Sequence, residues 1–283
     1  MNQLNAYIRL TRLDKPVGIY LLLWPTLWAL VAAAQGIPEW SLLLIFTLGV
    51  VVMRSAGCVI NDYADRKVDG HVKRTNARPL VDGSLTGKQA ITAFFVLLFV
   101  ALMLVLFLNY QTILLSFVAV FLAAIYPFMK RYTHLPQVFL GAAFSWAIPM
   151  AFMATVENIP VVAWWLFAAN LLWTVAYDTL YAMVDRDDDL KIGVKSTAIL
   201  FGRFDKLIVF ALQLLMLGCC FQAGILLSLQ PVYFMTLGLS LGLFIAHQIS
   251  IKNRERDACF AAFKQNHYVG LLILFGLVVS YIL

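Results

Sequence analysis

Charge is scarce in this sequence. Only 13% of its 283 residues are Asp, Glu, Lys or Arg, whereas 62% are hydrophobic and the mean hydropathy is +0.85. A soluble domain is nearer a quarter charged and half apolar, so the composition predicts a membrane protein. The short alternating segments of a membrane barrel are also missing, which favours membrane-spanning helices.

Cysteine and histidine are scarce as well. The four cysteines show no C-x-x-C spacing, and the four histidines are scattered along the chain. This pattern excludes a zinc site of the usual spacing and predicts that the cysteines are buried packing residues.

Long apolar runs dominate what remains. Each of nine runs can span a bilayer as a helix, which takes roughly 20 residues. We predict an all-α, polytopic fold with nine transmembrane helices, at 17–34, 40–62, 89–108, 111–128, 137–155, 161–184, 206–228, 231–250 and 267–282. Residues 2–13 mix apolar and polar positions at helical spacing, which predicts an amphipathic helix on the membrane surface.

Basic residues are missing from the connections near residues 36, 109, 157 and 229. All 21 lysines and arginines lie instead at or near the N-terminal segment and the alternate connections, toward one face of the membrane. The positive-inside rule predicts that this face and the N-terminus are cytoplasmic and the C-terminus is outside. The net charge of +6 therefore needs no nucleic-acid partner.

An acidic stretch, "NDYADRKVD" at 61–69, ends the second span. On a helix, Asp62, Asp65 and Asp69 fall at i, i+3 and i+7 and share one face. Carboxylates facing lipid would be costly, so this face is predicted to serve a function.

A second acidic stretch, "YDTLYAMVDRDDD" at 177–189, ends the sixth span. Asp178, Tyr181, Asp185 and Asp189 again share one helical face. The chain therefore resembles two related halves, each with one acidic stripe, and we expect a single domain over 1–283 with halves at about 15–130 and 135–283. The intervening Asp187 and Asp188 are interpreted as a solvated helix end.

Each acidic stripe is followed by a basic loop, at 70–87 and at 190–202. Clustered carboxylates repel one another unless a cation joins them. Mg²⁺ takes carboxylate ligands and commonly bridges to phosphates, while Lys, Arg, Ser and Thr in the loops suit phosphate oxygens. The pattern predicts a metal-bound diphosphate between spans two and six.

Arg54 lies inside the second span, on the same helical face as Asn61. An intramembrane arginine indicates a functional site because burying its charge is costly. Two interpretations stay open: Arg54 binds a small carboxylate below the diphosphate, or it pairs with an acidic residue of a neighbouring helix.

The two acidic stretches resemble the signature motifs N-D-x-x-D-x-x-x-D and D-x-x-Y-A-x-x-D-x-x-x-D of the UbiA-type intramembrane prenyltransferases. "LDKPVGIYLLLWPTLWAL" and "YPFMKRYTHLPQ" extend the resemblance over nearly the whole chain. The resemblance implies nine helices around a central cavity, with cytoplasmic cap loops after helices two and six. It also implies Mg²⁺, a polyprenyl diphosphate donor and an aromatic acid acceptor. The similarity favours 4-hydroxybenzoate, as in ubiquinone biosynthesis, in a bacterial inner membrane.

Site residues are carried over from the resemblance. The implied metal ligands are Asp62, Asp65, Asp69, Asp185 and Asp189; Asp65, Asp69, Asp185 and Asp189 are also the expected catalytic residues. The implied diphosphate contacts are Asn61, Lys73, Arg74, Arg78, Lys191 and Lys195. Arg54 and Arg131 compete as the anchor for the acceptor carboxylate. The expected contacts to the carbocation or acceptor are Tyr126, Asp178 and Tyr181.

Two other functions remain alternatives at this stage. One is a prenyltransferase for another aromatic acceptor, such as a naphthoate or homogentisate. The other is an ion-coupled transporter, which would also use intramembrane carboxylates and internal repeats. Protein partners are not predicted.

Overall fold

The computed structural model describes residues 3–66, 69–71 and 75–283, and these residues fold into α-helices joined by turns and loops. The helices are α1 Gln3–Leu10, α2 Val17–Ala34, α3 Trp40–Asp65, α4 Gly87–Val105, α5 Tyr110–Met129, α6 Pro136–Ser145, α7 Ala147–Val156, α8 Val161–Ile192, α9 Thr197–Phe201, α10 Asp205–Leu226, α11 Pro231–Ser250 and α12 Arg256–Ile282. Short 3₁₀ turns occur at Asp69–His71 and Gly202–Phe204.

Nine segments of the described chain are long and apolar enough to cross a membrane, which confirms the predicted fold class. α2 and α11 have the predicted bounds, whereas α8 continues beyond residue 184 and α12 begins before residue 267. Those two predicted ends are wrong because charged residues there have tertiary partners. Arg256 Nη1, at the start of α12, lies 3.0 Å from Asp188 Oδ2, near the end of α8. Asp188 is therefore buried rather than solvated, while its neighbour Asp187 is exposed.

The first acidic stripe is only partly helical. α3 ends at Asp65, and Asp69 lies in the following 3₁₀ turn. The prediction that Asp62, Asp65 and Asp69 share one helical face is therefore wrong for Asp69. This residue is held instead by its own loop, where Thr75 Oγ1 donates to the Asp69 carbonyl at 2.7 Å.

The core of the bundle lies where α2, α8 and α12 meet. Trp28 and Trp173 stack at 5.5 Å between centroids, and both are fully buried. Trp28 Nε1 donates to the Gly270 carbonyl at 2.9 Å, and Trp173 Nε1 donates to Asn266 Oδ1 at 2.9 Å. A Cβ at Gly270 would lie 2.7 Å from Trp173, so glycine permits this close approach of α12. The indole donors and the packed rings together fix the positions of the three helices.

The N-terminal helix α1 packs on the bundle. Its apolar residues Ala6 and Leu10 are buried in one cluster with Val59 and Ile60 of α3. Its other side carries Arg9, whose Nη2 lies 2.9 Å from Asp82 Oδ2 in the loop after α3. This ion pair therefore connects the N-terminal helix to the loop after α3.

The helices surround a cavity of about 870 Å³. α4 and α5 stand at the periphery, where only 11% of each span is buried. α4 begins with a capping box, in which Thr86 N donates to Gln89 Oε1 at 2.8 Å and Gln89 N donates to Thr86 Oγ1 at 3.3 Å.

The cytoplasmic cap loops after the second and sixth membrane helices, and the two related halves of the chain, stay predictions.

Candidate active site

Two adjoining spaces make up the site. The large cavity described above shares five wall residues with a smaller space of about 130 Å³, here called the acidic pocket. The shared residues are Asn61, Arg78, Tyr126, Asp178 and Tyr181. The acidic pocket is further lined by Asp65, Asp69, Asp185 and Asp189. The structure thus brings together, from α3, its following turn and α8, four carboxylates that are 120 residues apart in pairs.

Basic side chains neutralise the first stripe. Lys130 Nζ forms an ion pair with Asp65 Oδ2, and Arg78 Nη1 lies 2.7 Å from Asp69 Oδ2. Burial raises the pKa of Asp69 to about 6, and Asp65 and Asp62 add to the rise, because Arg78 offsets only part of these effects. These carboxylates therefore carry an electrostatic cost that a further cation would relieve.

Asp62 is engaged differently. Arg12 Nη2 lies 2.9 Å from Asp62 Oδ1 and 2.8 Å from Oδ2, and Arg78 Nη1 lies 2.9 Å from Oδ1. Asp62 lines the large cavity and does not line the acidic pocket. The structure separates it from the other predicted metal ligands.

No ready-made metal cluster is present in the described ranges, where no three Asp, Glu, His or Cys side chains are close enough to hold one ion. The residues nevertheless fit a hard divalent cation. The pocket is lined by five aspartates, whose carboxylates offer oxygen ligands, and Asp65 Oδ1 is a buried oxygen with no hydrogen-bond partner among the described residues. The other oxygen of this carboxylate, Asp65 Oδ2, forms the ion pair with Lys130.

The predicted diphosphate contacts divide into three groups. Asn61, Arg78 and Lys195 line the acidic pocket. Lys191, in the last turn of α8, is exposed and lines neither space. Lys73 and Arg74 lie outside the described residues.

The two candidate carboxylate anchors lie in different places. Arg54 lines the large cavity, with its Nη1 2.9 Å from Cys58 Sγ and its guanidinium 5.8 Å from the Phe144 ring centre. Its Nε is buried, and among the described residues this nitrogen has no hydrogen-bond partner. Arg131 lines neither space, because its Nη2 donates to the Ala64 carbonyl at 2.6 Å at the end of α3.

Aromatic residues stand between the acidic pocket and Arg54. Tyr126, Asp178 and Tyr181 line both spaces, as already noted, and Tyr177 lines the large cavity. Tyr181 packs against Phe263 of α12 with ring centroids 4.6 Å apart. Their positions suit contact with a ligand that extends from the acidic pocket into the cavity.

The far part of the large cavity is apolar. α3, α4 and α5 contribute Gly49, Ala101, Val105, Phe117 and Ala119 to its wall. Phe117 is 61% exposed on the outside of the protein, so this wall lies at the bundle's periphery.

Sequence reasoning missed several charged residues that line the two spaces, and three of them lie on different segments of the chain. Arg12 and Lys264 line the large cavity, and Lys130 lines the acidic pocket. All three had been interpreted only as flanking charges that mark the sidedness of the membrane. Lys130 lies within the stretch "YPFMKRYTHLPQ", so its position in a segment that carries the family resemblance was the signal that could have identified it.

Known proteins resemble this chain in sequence and in fold. The UbiA prenyltransferase family matches residues 22–275. The chain is 59% identical over 277 residues to the 4-hydroxybenzoate octaprenyltransferase of Vibrio parahaemolyticus, covering 98% of each chain.

Two solved structures share the fold. The apo structure of a UbiA homolog from Aeropyrum pernix has a TM-score of 0.80 at 23% identity, over 93% of this chain and 97% of that one. A UbiA homolog from Archaeoglobus fulgidus, bound to GPP and Mg²⁺, has a TM-score of 0.72 at 16% identity, over 97% of this chain and 99% of that one.

Proposed function

The chain belongs to the UbiA prenyltransferase family, and from this premise we propose that it transfers a polyprenyl group from polyprenyl diphosphate to 4-hydroxybenzoate, as named for its relative in Vibrio parahaemolyticus. The observation that carries the proposal is the arrangement of the site. Five carboxylates, including the four predicted catalytic aspartates, line one pocket, which adjoins a cavity that contains Arg54 and an apolar wall. These three surfaces match a diphosphate, an aromatic carboxylate and a prenyl chain.

A divalent cation belongs to the proposed reaction, and we assign Mg²⁺ to it because the Archaeoglobus fulgidus homolog was bound to GPP and Mg²⁺. Asp65, Asp69, Asp185 and Asp189 would hold the ion. When bound, it neutralises charge that develops on the departing diphosphate.

The chain's own basic groups act on the donor. Arg78 and Lys195 are placed in the acidic pocket to contact diphosphate oxygens, and Asn61 can donate its amide N–H to another. These donors stabilise the leaving group as the allylic C–O bond breaks. Tyr126 and Tyr181, at the junction of the two spaces, present rings that can stabilise the allylic cation.

Arg54 positions the acceptor. A guanidinium binds a carboxylate through parallel hydrogen bonds, and Arg54 is the predicted anchor that lines the cavity. The ring carbon ortho to the phenolic hydroxyl then forms a C–C bond to the cation, and the ring proton leaves. The apolar wall excludes water, which would otherwise capture the cation.

The proposed location is the bacterial inner membrane, with the N-terminus and the acidic pocket on the cytoplasmic side. Support comes from the distribution of all 21 basic residues toward one face. Soluble diphosphate product would then leave into the cytoplasm.

The function is tested with purified protein in lipid nanodiscs, octaprenyl diphosphate, Mg²⁺ and radiolabelled aromatic acids. We expect prenylated 4-hydroxybenzoate, no product from a naphthoate or homogentisate, and no product after chelation of the metal. Asp65→Asn and Asp185→Asn should each lower kcat/KM by roughly 100-fold or more. Asp187→Asn is the matched control, because Asp187 also lies near the end of α8 but its side chain is 75% exposed.

Wild-type turnover in the presence of the chelator, or full activity of both site variants, would contradict the metal assignment. Efficient prenylation of another acceptor in place of 4-hydroxybenzoate would contradict the acceptor assignment. Transport of a labelled solute without covalent product would favour the transporter instead.

A further inference from the structure

Asp62 has both carboxylate oxygens occupied. It is 1% exposed, Arg12 Nη2 reaches both of its oxygens at 2.9 and 2.8 Å, and Arg78 Nη1 reaches Oδ1 at 2.9 Å. Asp65, three residues later, differs because its Oδ1 is buried without a hydrogen-bond partner among the described residues. Only Asp65 of these two carboxylates has an oxygen available to a cation.

The surroundings of Asp62 separate it further from the proposed metal ligands. Asp65 and Asp69 line the acidic pocket, whereas Asp62 and Arg12 line the large cavity and Arg78 lines both spaces. Moving Asp62 to a cation would leave two partly buried guanidinium groups without this carboxylate. Breaking such a pair by removing one partner is strongly unfavourable.

We propose that Asp62 is a positioning residue, which holds Arg12 and Arg78 toward the phosphate groups of the donor, and that it does not bind the cation. This inference rests on the proposed function. A guanidinium has five N–H donors in a rigid fork, so one arginine can contact a carboxylate and phosphate oxygens at the same time. Asp62 acts through these two arginines.

Arg78 shows why a separate anchor is useful. One of its nitrogens, Nη1, lies 2.9 Å from Asp62 Oδ1 and 2.7 Å from Asp69 Oδ2. If Asp69 turned to a cation, Asp62 would still hold Arg78. The arginine therefore stays at the junction of the two spaces while its other partner changes.

The position of Arg12 is restricted by the packing of α1, the helix that precedes it. Arg12 follows α1, whose Leu10 is fully buried in a cluster with Val59 of α3, and its φ of +59° lies in the left-handed region. Arg9 on the same segment is paired with Asp82 at 2.9 Å. The packed helix and Asp62 together restrict where the Arg12 guanidinium can lie.

The first measurement is binding of Mn²⁺ alone, detected by loss of the free-ion EPR signal with protein in nanodiscs. Asp62→Asn should bind Mn²⁺ within about twofold of wild type, while Asp65→Asn should bind it roughly 10-fold more weakly. Asp82→Asn, which removes the partner of Arg9 at an exposed site, is the matched control and should match wild type. Equal losses in Asp62→Asn and Asp65→Asn would overturn the proposal and make Asp62 a ligand.

The second measurement is steady-state kinetics with the donor. Asp62→Asn and Arg12→Gln should each raise the donor KM by roughly 10-fold, and the double variant should be little worse than either single one, because both changes remove the same contact. Independent, multiplying effects, or an unchanged donor KM in Asp62→Asn, would refute a role through Arg12.

Arg12→Gln also covers the case in which Asp62→Asn does not fold. This change releases Asp62 from its two-oxygen contact with Arg12. If Asp62 is a ligand, Arg12→Gln should bind Mn²⁺ more tightly than wild type. If Asp62 is a positioning residue, the Mn²⁺ affinity should not change. The Mn²⁺ comparison needs no turnover. An inactive wild type would therefore count against the proposed function, whereas the ranking of the Mn²⁺ affinities decides the role of Asp62.

Discussion

Replacing Arg54 should selectively weaken binding of the acceptor's carboxylate. In the structure its Nη1 donates to the Cys58 thiol sulfur at 2.9 Å, and its Nε is buried without a partner among the described residues. Hydrogen bonds to charged groups contribute about 1.5–3 kcal/mol each to net stability. Loss of one such contact corresponds to a rise of roughly 10- to 150-fold in the acceptor KM for Arg54→Gln.

The assay compares 4-hydroxybenzoate with 4-hydroxybenzamide, which has the same ring and hydroxyl but no charge. In wild type, the KM for the acid should be lower than the KM for the amide by roughly 10- to 150-fold. In Arg54→Gln the two KM values should be similar, while the donor KM stays the same. A variant that keeps the ratio of acid to amide KM would refute the assignment of Arg54 as the anchor.

Thermal unfolding gives an independent measurement of the same prediction. Burying a cation in a membrane-spanning helix is costly, so Arg54→Met should be at least as stable as wild type without ligand. Adding 4-hydroxybenzoate should raise the Tm of wild type and leave the Tm of the variant unchanged, because only a ligand that binds the folded state stabilises it. Equal stabilisation of both proteins would place the carboxylate elsewhere.

Two further predictions concern the walls of the cavity. A Cβ at Gly18 would lie 2.5 Å from Arg54 Nε, so Gly18→Ala should displace the guanidinium and raise the acceptor KM, with no added effect in an Arg54→Gln background; an additive effect would show that it acts by another route. Ala119 lines the apolar wall. Ala119→Trp should therefore raise the KM for octaprenyl diphosphate by roughly 10-fold, because the added ring occupies space that only a long chain needs. The KM for geranyl diphosphate should not change. Phe121→Trp, at a side chain outside the lining and 62% exposed, is its control; equal KM changes for both donors in Ala119→Trp would argue against this route for the chain.

The membrane-spanning helices were largely predictable because lipid imposes a simple local rule. Every backbone polar group in the hydrocarbon must be satisfied within its own segment, so long apolar runs become helices. α11 occupies the predicted residues 231–250 for this reason. The same rule underestimated α12, whose first turns contain Arg256 and Lys264. Arg256 contacts Asp188 of α8, and Lys264 lies over the ring of Phe260 within α12.

The acidic pocket could be predicted in outline. Repeated spacing of aspartates at the ends of two spans indicated one shared site, and the structure places Asp65, Asp69, Asp185 and Asp189 around one space. Spacing could not show that α3 stops before Asp69. A helix end depends on what the following loop contacts, and those contacts are tertiary.

By itself, the sequence determined how many segments span the membrane and which spans end in carboxylates, because both follow from local composition and helical period. Only the tertiary structure decided the partners of the charges. It paired Asp62 with Arg12, 50 residues away, placed Arg54 in the cavity, and turned Arg131 to a backbone carbonyl. The physical reason is that an ion pair depends on distances of a few ångströms between separate helices, and these distances arise from packing rather than from spacing along the chain.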